Sequence, residues 1–109
     1  VGYDHGLAQR VREHLVDEPG LSEREMFGGI GFMLDGNMAA GVIAEDLLIR
    51  VGPDKHDDAL SQPHTRVFDM TGRSMRGWVV VAANALESDE TLAYWLDQGR
   101  VFARSLPAK

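Results

Sequence analysis

The chain has 109 residues, 44% of them hydrophobic and 26% charged, with no cysteine and a formal net charge of −6. That length suits a single domain over residues 1–109 with one core, and the lack of cysteine excludes a disulfide framework, a thiolate metal site and a cysteine nucleophile. No apolar run approaches the roughly 20 residues that span a bilayer, and the opening Val-Gly-Tyr-Asp-His lacks the pattern of a secretory signal, so a cytoplasmic protein without membrane contact is expected. Nine acids face four basic residues in 1–52, against eight and seven in 53–109. The acidic balance disfavours duplex DNA as a partner, because such binding draws much of its strength from phosphate neutralisation.

Leu7, Ala8, Val11 and Leu15 recur at helical spacing, so residues 4–17 are expected to form an amphipathic helix that Asp4 caps and Pro19-Gly20 ends. Ser22-Glu23-Arg24-Glu25 matches a capping box, yet Met26-Phe27-Gly28-Gly29 follows with no helical stripe, so it is expected to be a loop leading into a strand. Three apolar runs then follow: 30–34, 38–43 and 47–51. Asp35-Gly36-Asn37 and Ala44-Glu45-Asp46 separate them, and the Asp-Gly pair accepts positive φ, which predicts a three-stranded antiparallel meander. Pro53 fits the first turn of a short second helix, with Asp54, Asp57 and Asp58 at its positive end.

Arg66 to Phe68 is expected to form a short strand, 69–77 a polar, glycine-punctuated connection, and Trp78-Val-Val-Val-Ala-Ala a fifth and central strand. Ser88 before Asp89-Glu90 starts a last helix, whose inward stripe is Leu92, Trp95, Leu96, Gly99, Phe102, Ala103 and Leu106. Gly99 on that stripe implies a close approach of helix to sheet, since glycine costs about 1 kcal/mol of helix propensity relative to alanine. The predicted fold is a two-layer α+β domain in the order α-β-β-β-α-β-β-α, a five-stranded antiparallel sheet with helices mainly on one face. Its expected core sets Ile30, Phe32, Leu34, Val42, Ile49, Trp78 and Val80 against Val11, Leu15, Leu92, Trp95, Leu96 and Phe102.

Two phrases carry a family resemblance. Met26-Phe27-Gly28-Gly29-Ile30-Gly31-Phe32, with the meander it opens, and Thr71-Gly72-Arg73-Ser74-Met75-Arg76-Gly77-Trp78 together resemble the N-terminal domain of the TfoX/Sxy family, bacterial proteins named for a regulator of natural competence. The second phrase usually runs Gly-Arg-Pro-Met-Lys/Arg-Gly-Trp in that family, and Ser74 stands here in place of the proline. The resemblance covers nearly the whole chain and implies the same broad fold. It also implies a stand-alone domain with a regulatory or protein-interaction role, since the family's separate C-terminal domain has no counterpart within these 109 residues. It carries no catalytic residue set, so no enzyme activity and no cofactor are expected from it.

The candidate chemistry is sparse. Gly28-Gly29-Ile30-Gly31 fits no phosphate-loop pattern and precedes no helix whose N-terminus could hold an anion. His5 and His14 lie two and a half helical turns apart and cannot share a metal. His56 beside Asp54, Asp57 and Asp58 offers hard ligands, but neighbouring helical positions diverge, and a solvated acidic turn is the simpler reading. An enzyme acting through His56 and these carboxylates is the third-ranked function. Arg66, Arg73 and Arg76, with Gly72 and Gly77, are the densest basic feature and the candidate interaction site, whether for a protein partner or, as a second hypothesis, for an anion or nucleic acid. An uncovered sheet edge offers a further route, to a partner or to a homodimer. Met33, Met38, Met70 and Met75 suit either a soft interaction surface or irregular core gaps.

Overall fold

Asp4 caps the first helix as its position predicts: its Oδ1 accepts from the Leu7 N–H at 3.1 Å, and α1 runs His5–Leu15. The computed structural model describes residues 2–109 except Phe27 and Thr71, and describes only the backbone of Met70, Arg73 and Ser74. After α1 come β1 (Leu21–Met26), β2 (Gly29–Leu34), β3 (Asn37–Ile43) and β4 (Asp46–Arg50). A 3-10 turn at Pro53–Lys55 leads into the short α2 (His56–Leu60), then β5 (Thr65–Met70), β6 (Arg73–Val81), a second 3-10 turn at Ala83–Ala85 and α3 (Asp89–Arg104). The hydroxyl of Ser88 caps α3 by accepting from the Glu90 N–H.

The sheet has six strands in the order β1-β2-β3-β4-β6-β5, every neighbouring pair antiparallel. Five strands were expected, and the additional one is β1. It pairs with β2 along its whole length, from Leu21↔Leu34 to Met26↔Gly29. Its Ser22, Glu23, Arg24 and Glu25 are all exposed, so this edge strand needs no apolar alternation, and its polar stretch carries no strand signature. The expected 69–77 connection is also mostly strand: Asp69 pairs with Ser74 and Met70 with Arg73. The meander turn forms as predicted, with Asp35 and Gly36 at φ 52° and 85°, the paired positive values of a type I′ hairpin.

All three helices pack on one face. Leu7, Val11 and Leu15 of α1, Ala59 of α2 and Leu92, Trp95 and Leu96 of α3 join Ile30, Phe32, Val42, Ile49, Val79 and Val81 in a single buried cluster. Leu34 belongs to a smaller neighbouring cluster with Ala39 and Ala103. Trp78 and Val80 are not in the helix-side core as expected. They alternate with Val79 and Val81 along β6, so they face the other side of the sheet.

Candidate recognition surface

The central strands of this sheet are apolar on both faces, but the helices cover only one. On the other, strand register lines up Arg24, Gly31, Gly41, Leu48, Val80 and Arg66 across all six strands in one row. The two adjacent glycines carry no side chains there and open a trough in the sheet surface. Methionine ends fold over it: the Cε atoms of Met38 and Met26 lie 3.1 and 3.3 Å from where a Cβ on Gly31 would stand. The trough encloses about 370 Å³, and Met26, Met33, Met38 and Met75, four of the chain's five methionines, line it. Ile43, Leu48, Phe68 and Trp78 complete its apolar wall, with the Phe68 and Trp78 ring centroids 6.3 Å apart.

Its charged side chains have one sign. Arg24, Arg50 and Lys109 line the trough, and no acidic residue does so among the described residues, in a chain that carries −6 overall. Arg50 is half-buried, its guanidinium carbon 5.0 Å from the Trp78 ring centre and 5.2 Å from that of Phe102. Burial holds the Arg50 pKa below its ordinary value, although a guanidinium stays protonated. The pattern elsewhere differs. Arg10, Arg12, Arg66, Arg76, Arg100 and Arg104 each contact a carboxylate, whereas Arg24 and Arg50 make no ion pair among the described residues.

A buried hydrogen-bond knot sets the position of Trp78. The Gly77 N–H donates to Nδ1 of His56 at 2.9 Å, and the Gly77 carbonyl accepts from Val51 and Gly52 at 2.8 and 3.0 Å. Gly77 has φ 93°, and a Cβ there would stand 3.0 Å from the carbonyl carbon of Gly52, so only glycine suits the position. The knot ties β6 to the end of β4 and sets Trp78 opposite Arg50 in the strand register. His56 is therefore a buried packing residue, whereas Asp54, Asp57 and Asp58 beside it are exposed. Among the described residues no three His, Asp or Glu side chains gather as metal ligands.

Two of the three arginines singled out in sequence go to separate carboxylates. Arg66 donates from Nη2 to Asp46 at 2.9 Å, and Arg76 lies 3.5 Å from Asp57 with both side chains largely exposed. The side chain of Arg73 lies outside the described residues. Arg50 carries no motif, and Arg24 and Met26 stand in the capping-box and family phrases with no binding role assigned to them. Their signal was indirect: strands apolar at successive positions, with too few helices to cover both faces. At the β1 edge, Arg12 donates to both carboxylate oxygens of Glu23 at 2.6 and 2.8 Å, which holds the Glu23 pKa below, and the Arg12 pKa above, their ordinary values.

No described helix is long and apolar enough to cross a membrane. No curated protein matches the chain. The family model for the TfoX N-terminal domain matches residues 13–103, a span that holds all six strands and most of α3, and the chain belongs to that family.

Proposed function

We propose that this domain works by recognition and not by catalysis, as a regulatory or interaction module of the cytoplasm whose working surface is the helix-free face of the sheet. The observation that carries this reading is the half-buried stripe of Met26, Met33, Met38, Met75, Phe68 and Trp78, which no helix covers. Thioethers are unbranched and polarizable, and such side chains adapt to differently shaped partners. The arginine cluster at 66–76 ranks second as an interaction site, because Arg66 and Arg76 already pair with Asp46 and Asp57.

Site-specific photocrosslinking in cells tests this. A photoreactive residue at Met38 is expected to trap a defined adduct, whereas the same residue at Val101, exposed on α3, traps none. Equal adducts from both positions, or an adduct from Val101 alone, would remove the sheet face from consideration.

A further inference from the structure

The trough on the helix-free face has more in it than an adhesive apolar patch needs. Its volume of about 370 Å³ falls within the range of roughly 300–1,000 Å³ typical of small-molecule sites. Such sites combine an apolar wall with a few polar groups, and here the charged side chains of the lining are all cationic. In a protein of net charge −6 that built its other described arginines into ion pairs, leaving Arg24 and Arg50 without a carboxylate is the unusual feature. Arg50 is the more telling of the two. It is half-buried between two aromatic rings, where its carbon stem and flat faces are satisfied but its N–H donors have lost part of their water.

A planar guanidinium presents paired N–H donors that match the two oxygens of a carboxylate, and such charge-assisted pairs are about twice as strong as neutral hydrogen bonds. The glycine row supplies the other half of the match. With Gly31 and Gly41 side by side, the nearest side chains above the backbone are the ends of unbranched methionines, so a slender apolar chain can displace them without moving the sheet. We propose that this trough binds an amphipathic monocarboxylate, its carboxylate held by Arg50 and its apolar body laid over Gly41 and Gly31 among the methionines, toward Arg24 at the far end of the row. This rests on the reading of the helix-free face as the recognition surface and names the ligand class that face takes.

The test uses the full chain and decanoate as the probe, followed by amide chemical shifts and tryptophan fluorescence. Saturable shifts confined to β2, β3, β4 and β6 around Gly31, Gly41, Leu48 and Trp78 are expected. Decanol, which lacks the charge, is expected to bind about tenfold or more weakly, since a hydrogen bond to a charged group is worth at least that factor, and acetate, which lacks the chain, is expected to bind weakly because it buries no methylenes. Arg50→Gln is expected to weaken decanoate about tenfold or more, and the exposed Arg24→Gln to weaken it less. Gly31→Ala is expected to keep the fold, because its Cβ meets only flexible methionine ends, and to weaken binding by pushing those ends into the trough.

Equal affinity for decanol and decanoate, unchanged affinity in both arginine variants with native melts, or tighter binding of decyl phosphate would overturn the carboxylate assignment. Absence of any saturable shift would do the same. Each of those results leaves the recognition surface standing if the Met38 crosslink persists, whereas loss of that crosslink with decanoate still bound would overturn the protein-interaction reading alone.

Discussion

Gly99 of α3 lies directly on the backbone of Ala39 in β3: a Cβ on Gly99 would overlap the Ala39 carbonyl oxygen and stand 3.0 Å from its carbonyl carbon. This contact sets the distance between the helical layer and the sheet. Gly99→Ala should therefore lose about 1–3 kcal/mol to overpacking, outweighing the roughly 1 kcal/mol of helix propensity it gains. Urea melts measure the balance. A variant more stable than wild type would mean that the layers have room to separate.

The two tryptophans should respond unequally to truncation. Trp95 is 3% exposed in the helix-side core, so Trp95→Ala is expected to cost about 3–5 kcal/mol. Trp78 is half-buried on the open face, against Arg50 and Phe68, and Trp78→Ala is expected to cost about 1–2 kcal/mol. Denaturant midpoints of the two variants check the ranking, and a reversed order would return Trp78 to the core.

That ranking corrects the sequence reading, and the reason is physical. Leu92, Trp95, Leu96 and Gly99 were legible because a 3.6-residue period fixes which side of a helix is inward, and the Asp35-Gly36 turn was legible because positive φ demands those residue types. Trp78 was not, because Trp-Val-Val-Val is apolar at every position and a period of two cannot be read from a continuous run. The strand β1 was missed for the opposite reason, since an exposed edge strand can be polar throughout. As for the candidate site, Arg50 and Arg24 are 26 residues apart and come to line one trough only through the register of four strands.

The His56 to Gly77 hydrogen bond makes a third prediction. His56→Ala leaves the buried Gly77 N–H without its acceptor, an expected loss of about 1–3 kcal/mol before any packing term. His56→Asn places an amide oxygen near the former Nδ1 and should recover part of it. Equal losses in the two variants would show that imidazole packing, and not the hydrogen bond, holds β6 to β4.

A fourth prediction concerns acid. The bidentate contact with Arg12 holds the Glu23 pKa below its unfolded value, so its contribution is fully present above the unfolded pKa and is lost as pH falls through the folded one. The pair is partly exposed, so Glu23→Gln should cost no more than about 1 kcal/mol at neutral pH. That difference should vanish once the pH is below the native Glu23 pKa. A gap between wild type and variant that stays constant on acidification would show that the carboxylate charge contributes nothing.

We propose that recognition belongs to the helix-free face and not to the arginine cluster or the helical layer. Affinity capture with three folded variants compares these directly: Met38→Glu on the sheet face, Arg66→Ala with Arg76→Ala at the cluster, and Val101→Glu on α3, each first shown to melt like wild type. Met38→Glu is expected to lose a protein that wild type and both other variants retain. Retention by Met38→Glu together with loss from the arginine pair or from Val101→Glu would contradict it and move the recognition surface to the site whose variant fails.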